Sequence, residues 1–340
     1  MKSSKKNARP ASLRPGTAFL FLALLTAAGF CQETTLRSQS NLVLVPALVK
    51  DSQGNVVYGL EAKDFLLDDD GVEQSVHLDE APEGQPVSLA IAVQTGRRAA
   101  YEFPRMQGLK TMLDPLFSQG TARVALVEFD SRVQLARIFS TDEDAIDAAL
   151  TSVRPGDDGA AILDAIGYSI GLLKKEPEGR LRVLLLISET RDHGSKVKIA
   201  DAVAGIGQSN SVMYALAFSP ALSNILDTGR GTNKPGTDMN EMHPGVNFLD
   251  LAYRAEQAMR KNVPSAVASM TGGEYELFTT RKKFDVRMTD FTNHLHSRYL
   301  LSFTPRSPHP GLHAIRVRLK DSKEDTVVAR TSYWAESTKQ

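Results

Sequence analysis

The pattern of hydrophobic residues changes twice along the chain. Residues 41–82 hold short β-rich runs separated by turn residues, as in Asp51-Ser-Gln-Gly54, after which residues 56–58 resume the strand pattern. This spacing predicts strands joined by turns. From Val87 on, nearly uninterrupted apolar runs alternate with segments in which apolar residues recur at helical spacing. Residues 298–335 return to the β pattern. The chain is therefore expected to hold a β segment, an α/β block over 87–297 and a second β segment.

The α/β block carries five apolar runs, which predict strands at 87–93, 122–129, 181–187, 212–218 and 274–278. Helical segments alternate with these runs, so the block is expected to be a Rossmann-like, doubly wound and mostly parallel sheet with helices on both faces. Pro264 is expected to kink or split a helix over 249–270. Residues 219–248 break the rhythm with turn residues and are predicted to form a long mobile surface loop.

The first 31 residues have the pattern of a secretory signal peptide. They carry five basic residues, no acidic ones, a short apolar run from Ala18 to Leu25 and then small residues up to Cys31. The run is shorter than the roughly 20 apolar residues that span a bilayer, and a retained anchor is the alternative. Cleavage after Cys31 would leave residues 32–40 as a polar leader. A lipoprotein signal that keeps Cys31 ranks second, because bulky Phe30 precedes it. The protein is therefore expected to be exported to the periplasm, the cell surface or the medium.

The charge balance and the single cysteine exclude several classes of protein. Forty basic residues offset forty acidic ones, so no basic excess is available to neutralise the phosphates of a nucleic acid. Without residues 1–31, 35 of the 40 basic residues remain, and the mature chain is mildly acidic. One cysteine can form neither an internal disulfide nor a zinc finger. The Gly-x-Ser-x-Gly match at Gly167-Tyr-Ser-Ile-Gly171 lies inside a segment with apolar residues at helical spacing and not at a strand-to-helix elbow, and no Gly-x-x-x-x-Gly-Lys-Ser/Thr loop occurs, so no motif predicts an enzyme.

Short motifs outside the α/β block follow a fixed order: Asp51-Ser-Gln-Gly-Asn-Val-Val57, Leu60-Glu-Ala-Lys-Asp-Phe65, Asp70-Gly-Val-Glu-Gln74 and Tyr299-Leu-Leu-Ser-Phe-Thr-Pro305. With the α/β block between them, this order resembles von Willebrand factor A-type domain proteins, and most closely the secreted VWFA-related family described from acidobacteria. The resemblance covers about residues 40–335. It implies that residues 41–82 and 298–335 pack together as a β-sandwich-like module, into which the A-type domain is inserted.

The resemblance also implies a metal site, for which this chain lacks most ligands. A-type domains bind Mg²⁺ or Mn²⁺ at the carboxyl ends of the strands, through an Asp-x-Ser-x-Ser motif, a threonine and a later aspartate. Here the first motif can align in two registers, which fill its three positions with Val93, Thr95 and Arg97 or with Gln94, Gly96 and Arg98. Ala160 stands at the threonine position and Glu189 at the aspartate position. This metal-ion-dependent adhesion site (MIDAS) is therefore expected to be degenerate and metal-free.

A cation supplied by the protein itself is the hypothesis for this edge. Arg97 or Arg98 stands where the metal would lie, and the loops at the same edge carry four acidic residues: Asp157, Asp158, Glu189 and Asp192. We expect one guanidinium to replace the metal by pairing with one of these carboxylates. Two alternatives stay open. Both arginines could point into solvent, or the four carboxylates could form a shifted site for Mg²⁺ or Mn²⁺.

The residues predicted to form the binding edge are Gln94, Thr95, Arg97, Arg98, Asp157, Asp158, Ala160, Glu189, Asp192 and His193. Elsewhere, His294 and His296 have the spacing of a metal pair, but no third ligand follows at a local spacing. The two histidines are therefore expected to be exposed or half-buried rather than metal-bound. Asp164, in the first turn of a predicted helix, is interpreted as structural.

The predicted function is that of a secreted, non-enzymatic protein-interaction or adhesion module. Its partner would be a protein or a component of the cell envelope, without nucleic acid and without a membrane span in the mature chain. The alternative is a metal-dependent adhesion module with altered ligands for Mg²⁺, Mn²⁺ or Ca²⁺. A secreted hydrolase is a third hypothesis, which no catalytic constellation supports.

Overall fold

Two kinds of β-sheet make up the fold. The computed structural model of the chain describes residues 42–79, 85–118, 120, 122–218, 248–306, 309–322 and 324–336. Among these residues, a six-stranded and mostly parallel sheet carries helices on both faces, and two four-stranded antiparallel sheets accompany it. The predicted α/β class with an added β module is therefore confirmed. The predicted signal peptide, the polar leader and all but the last residue of the predicted 219–248 loop lie outside the described residues.

The strands, numbered in chain order, are β1 (Val43–Lys50), β2 (Phe65–Asp69), β3 (Val72–Gln74), β4 (His77–Asp79), β5 (Val87–Gln94), β6 (Arg123–Phe129), β7 (Val133–Ser140), β8 (Leu181–Ser188), β9 (Val212–Phe218), β10 (Tyr275–Phe278), β11 (Tyr299–Phe303), β12 (Gly311–Leu319), β13 (Thr326–Ala329) and β14 (Ser332–Ala335). The helices are α1 (Leu109–Ser118), α2 (Glu143–Ser152), α3 (Ile162–Leu173), α4 (Ile199–Gly207), α5 (Phe248–Lys261), α6 (Val263–Thr271) and α7 (Arg281–Leu295). None of the helices in the described ranges has both the length and the apolar character to cross a bilayer.

The six-stranded sheet has the order β10-β9-β8-β5-β6-β7, and β7 runs antiparallel to β6. β5 lies inside the sheet, and all of its residues are buried because helices cover both faces. The sequence analysis predicted no strand at β7. Most side chains of β7 are exposed, so the apolar run that marks the buried strands is missing there.

Helices cover the two faces of this sheet with separate cores. α3, α4, α5 and α6 pack on one face, around residues such as Ile166 and Val203. α1, α2 and α7 pack on the other face, around residues such as Leu113 and Phe284. Pro264 lies in the first turn of α6, where proline suits the start of a helix. The single helix predicted over 249–270 is therefore split into α5 and α6.

The two ends of the described chain build a β-sandwich. One sheet has the order β13-β1-β11-β4, and the other has the order β14-β12-β2-β3. β1, from the N-terminal segment, lies between β11 and β13 of the C-terminal segment and is antiparallel to both. Val45, Leu67 and Phe303 belong to the core that these strands share. The predicted pairing of the two β segments into one module is therefore present.

One predicted strand is absent from the sandwich. The β-rich residues 56–58 were expected to resume the strand pattern after the turn at 51–54. In the structure, Val56 makes only an isolated bridge with Lys50, and Tyr58 is exposed. Gly59 follows with a φ of 81°, and this left-handed conformation turns the chain before a strand can form.

A largely buried carboxylate joins the sandwich to the six-stranded sheet. Glu274, just before β10, contacts Lys50 of β1 and lies 2.8 Å from His294 Nδ1 of α7 and 3.8 Å from Arg298 Nη2. Burial alone would raise the pKa of Glu274, but hydrogen bonds from His294 and Lys50 outweigh it and hold this pKa at about 2. His294, spaced like half of a metal pair with His296, is thus engaged by a carboxylate of the same chain.

Candidate functional site

Three parallel strands end side by side and bring their following residues to one edge of the sheet. Thr95 follows β5, Asp130 follows β6 and Glu189 follows β8. The loop before α3 lies across this edge, because Gly156 donates its N–H to the Thr95 carbonyl at 2.9 Å and Ala161 donates its N–H to the Asp130 carbonyl at 2.7 Å. The carboxyl edge of the sheet is therefore built from loops that are bonded to one another.

Arg97 and Glu189 form an ion pair at this edge. Arg97 Nε lies 2.9 Å from Glu189 Oε1, and the Glu189 side chain is largely buried. Gln94, which is fully buried, donates from Nε2 to the same oxygen at 3.1 Å and accepts the Glu189 N–H at 2.9 Å. Arg97 adopts a φ of 55°, in the left-handed region. A guanidinium therefore lies against the carboxylate that stands at the aspartate position of the A-type motif.

Asp157 and Asp130 hold the loops in place. Asp157 accepts hydrogen bonds from the Ser131 hydroxyl, the Ser131 N–H at 3.0 Å and the Gly159 N–H at 2.8 Å. These bonds, led by the Ser131 hydroxyl, lower the pKa of Asp157. Asp130 accepts from the N–H groups of Arg132 at 2.8 Å and Asp157 at 3.2 Å. The sequence analysis missed Asp130 and Ser131, although their position directly after β6 could have identified them.

Asp192 and Asp164 fix the loop that follows β8. Asp192 accepts the Leu163 N–H at 3.0 Å, at the start of α3, and the Ser195 hydroxyl at 2.5 Å. Asp164 accepts N–H groups of the same loop, including that of Val197 at 2.9 Å. Asp164 therefore has a structural role, as expected, but it acts by binding this loop. Both carboxylates therefore hold the backbone at the start of α3 and in the loop after β8 in place.

The remaining predicted residues also lie at this edge. Thr95 is buried, and its hydroxyl donates to the carbonyl that ends β6 at 3.2 Å. Ala160 is fully buried and exchanges two backbone hydrogen bonds of 2.8 Å with His193. Arg98 and Asp158 are exposed. All ten predicted residues therefore lie in the strand ends and loops of one edge.

Exposed arginines surround the Arg97–Glu189 pair. One follows β5, one follows β6, one precedes α3 and one follows β8. We call the surface that they form the arginine edge: Arg98, Arg132, Arg154 and Arg191. In the described part of the chain, none of these four lies within 4 Å of a carboxylate oxygen. Most acidic groups beside them accept hydrogen bonds as above, apart from exposed Asp158 and half-buried Glu128. The guanidinium groups of these four arginines are therefore available to a partner.

A cleft of about 220 Å³ lies at the arginine edge, lined by Thr95, Glu128, Phe129, Asp130, Arg132, Gln134, Arg154, Pro155 and Gly156. Burial raises the pKa of Glu128, and the charge of Arg154 partly offsets this. A carboxylate that entered the cleft would meet the guanidinium groups of Arg132 and Arg154. A cavity of about 260 Å³ lies elsewhere, between the amino ends of β8 and β9 and the sandwich, so cavity size does not identify the edge.

Two glycines allow the loops to approach closely. A Cβ on Gly96 would lie 2.0 Å from the Gly159 carbonyl oxygen and 2.8 Å from Asp130 Cβ. A Cβ on Gly156 would lie 2.5 Å from Asp130 Oδ2 and 2.9 Å from Thr95 Oγ1. Side chains at these positions would force the loops apart. The shape of the edge therefore depends on these glycines.

The charged residues described at this edge are mostly engaged with one another or with backbone groups. Arg97 places a positive charge against Glu189, and Asp157 and Asp192 are held by backbone N–H groups and serine hydroxyls. Within the described ranges, no three histidines or carboxylates of this edge bring ligand atoms within 4.8 Å of one another. A magnesium ion requires several oxygen ligands, and a metal-free edge stays a prediction.

Comparisons with known proteins give structural similarity only. No protein-family profile matches the chain, and no curated protein matches it. BatB from Bacteroides thetaiotaomicron, a conserved hypothetical protein, is 15% identical with a TM-score of 0.40, over 62% of this chain and 98% of that one. The PilB minor pilin from Streptococcus sanguinis is 12% identical with a TM-score of 0.41, over 63% of this chain and 62% of that one.

A von Willebrand domain is also among the similar structures. The vWF domain of the type V pili tip protein Mfa5 from Porphyromonas gingivalis is 14% identical with a TM-score of 0.28, over 32% of this chain and 38% of that one. This chain thus spans less than half of the Mfa5 structure. The narrower acidobacterial family stays a prediction. On its own topology, the α/β layer is the mostly parallel sheet with helices on both faces that the hydrophobic pattern predicts.

Proposed function

We propose that the protein is a secreted, non-enzymatic interaction module that binds its partner at the arginine edge without a metal ion. The observation that carries the proposal is the ion pair of 2.9 Å between Arg97 and Glu189. It sets a positive charge against Glu189, the residue that the resemblance aligns with the aspartate of the A-type metal site. A guanidinium offers several donors in a rigid plane, so it can orient a carboxylate without help from a metal.

The arrangement favours an acidic protein partner. Four exposed arginines surround the ion pair, while Glu189, Asp157 and Asp192 are engaged within the chain. A segment rich in Asp or Glu would form charge-assisted hydrogen bonds with these arginines. Because the charges are exposed, binding should weaken as salt is added. The expected signal peptide would place this interaction in the periplasm, at the cell surface or in the medium.

The first test measures whether a cation site exists at the edge. Thermal unfolding of the purified protein is followed with EDTA and then with millimolar Mg²⁺, Mn²⁺ or Ca²⁺. Because a ligand that binds only the folded state raises the midpoint, we expect no shift that depends on the edge. A rise that EDTA reverses and that Glu189→Gln abolishes would instead support the metal-dependent adhesion module.

The second test measures charge recognition at the edge. A fluorescent peptide rich in Glu is titrated into the wild type and into the double variant Arg132→Gln/Arg154→Gln. Arg260→Gln/Arg281→Gln is the matched control, because it removes the same charge from exposed positions on α5 and α7. We expect at least about tenfold weaker binding for the edge variant alone. Equal losses in both variants, or loss of binding with EDTA, would contradict the proposal.

A further inference from the structure

A second cluster of polar side chains lies in the sandwich, away from the arginine edge. Asp70 is in the turn between β2 and β3, His309 precedes β12 and His313 lies within it. Asp70 Oδ2 is 2.8 Å from His313 Nδ1 and 3.3 Å from His309 Nε2. The two imidazole rings stack with centroids 4.1 Å apart. One oxygen and two nitrogens thus come within 4.8 Å of one another.

Two buried atoms of this cluster have no aligned hydrogen-bond partner among the described residues. They are His313 Nδ1 and Asp69 Oδ1, which lie 3.6 Å apart. Both residues are buried, with 1% of His313 and 8% of Asp69 exposed. His313 Nδ1 also lies 2.8 Å from Asp70 Oδ2, the distance of an ion pair with a protonated ring. Because buried polar atoms are nearly always paired, these groups need a cation among them, either a proton or a metal ion.

Hydrogen bonds fix the opposite ends of the same side chains. His313 Nε2 lies 2.7 Å from the His309 carbonyl; a carbonyl only accepts, so Nε2 carries a hydrogen, and Nδ1 faces the two carboxylates, where it can bind a metal ion once it carries no proton. A backbone N–H of β12 binds Asp70 Oδ1 at 2.9 Å, and the Tyr333 hydroxyl donates to Asp69 Oδ2 at 3.1 Å. Each carboxylate therefore keeps its other oxygen turned toward the cluster.

We propose that Asp70, His309 and His313 bind one divalent transition-metal ion, with Asp69 as an additional oxygen beside it. Two imidazole nitrogens and a carboxylate suit zinc and its first-row neighbours, whereas magnesium and calcium prefer oxygen alone. Ligand atoms on one zinc ion lie roughly 3 to 4 Å apart, and the cluster needs only small shifts to reach this spacing. Asp70 and His309 are partly exposed, which gives the ion a way in.

A protonated His313 between the two aspartates is the competing explanation. One proton on His313 would neutralise only one of the two negative charges of Asp69 and Asp70 beside it. Protonation of both rings would place two like charges 4.1 Å apart, which is unfavourable. A metal ion uses both imidazoles and both carboxylates. It would also tie the β2–β3 turn to β12 and so stabilise the sandwich.

The experiment is equilibrium dialysis of the purified protein against Zn²⁺, with metal analysis of the protein compartment. Two variants remove a ligand, His309→Gln at an exposed position and Asp70→Asn, which keeps the shape and suits the φ of 49°. His77→Gln, at an exposed end of β4, is the matched control. Any zinc held by Cys31 is present in all four proteins, so a difference in zinc content between them measures binding at the cluster alone.

We expect the wild type and His77→Gln to hold one more zinc ion per chain than His309→Gln and Asp70→Asn. Zn²⁺ should raise the unfolding midpoint of the first two proteins only, and Co²⁺ should give them the visible absorption of a nitrogen-bound site. Equal zinc content in all four folded proteins would overturn the proposal. The result does not depend on the arginine edge, since the two sites lie in different layers and share no residue.

Discussion

The arginine edge and the Glu274 junction use their carboxylates in opposite ways. At the edge, Asp157 and Asp192 accept hydrogen bonds mainly from nearby loops and leave arginines exposed. At the junction, Glu274 accepts from side chains of other elements, and its partner Lys50 is 224 positions away. The Glu274 side chain is only 14% exposed.

This difference suits the arginine edge to binding and the Glu274 junction to stability. Exposed charges at the edge contribute little to folding, because water and salt screen them, so they are free to meet a partner. The buried charges at the junction depend on one another, because each would be costly to leave unpaired. Four variants and conditions test this comparison, and the largest effect is expected at the junction.

Glu274→Gln should lower the free energy of unfolding by about 3 to 5 kcal/mol, because it leaves Lys50 and Arg298 with an uncompensated buried charge. Glu276→Gln is the matched control two residues along the chain. Its partner Arg287 and Glu276 itself are both more than a third exposed, so that change should cost under about 1 kcal/mol. Urea unfolding measures both. Equal losses of unfolding free energy in the two variants would show that the junction stabilises the protein no more than an exposed ion pair does.

Acid should weaken the junction in a defined range. The pKa of Glu274 is held at about 2, below its ordinary value of 4.5, so its contribution is complete above pH 4.5 and is lost as the pH falls toward 2. The loss should reach about 3 kcal/mol. Unfolding free energies measured across this range should fall less in Glu274→Gln. A parallel fall in both proteins would assign acid sensitivity to other groups.

Gly96→Ala should destabilise the edge by about 2 kcal/mol, because its Cβ would meet the Gly159 carbonyl oxygen at 2.0 Å. Gly167→Ala is the control. Its Cβ meets nothing within 4 Å, and alanine should stabilise α3 by up to about 1 kcal/mol. Thermal unfolding compares the two. If Gly96→Ala unfolds like the wild type, the loops do not need their close contact.

The smallest effect is expected for the ion pair at the edge. A double-mutant cycle with Arg97→Ala and Glu189→Gln should give a coupling of about 0.5 to 1 kcal/mol, since Arg97 is partly exposed. High salt should reduce this coupling. A coupling as large as the Glu274 effect would make the edge a second stability centre and would blur the distinction between the two clusters.

The sequence predicts the α/β layer well, because its buried strands are continuous apolar runs. It misses β7, whose side chains are mostly exposed, and it overextends the strand pattern at residues 56–58. At the edge, the sequence leaves two arginines and four carboxylates as possible pairs. The left-handed φ of Arg97 and the buried amide of Gln94 accompany the pairing with Glu189, and neither feature has a local sequence pattern.

The Glu274 junction could not be predicted from spacing. Its carboxylate meets Lys50, which is 224 positions away, and His294, which is 20 positions away. Such contacts depend on how the sandwich and the sheet pack, and no periodicity along the chain encodes them. The sequence analysis weighed His294 as half of a metal pair with His296 and expected both to be exposed or half-buried instead, because the spacing between them was the one local signal available.

The position of β1 has a consequence for the order of events during synthesis. Val43 pairs with Phe303, and Lys50 pairs with Thr326, so β1 has neither neighbour until almost the whole chain has been made. The six strands of the parallel layer lie between these segments and can assemble earlier. Meanwhile β1 exposes two unpaired edges that could join other chains. A strand near the start of the sequence is thus among the last to reach its place.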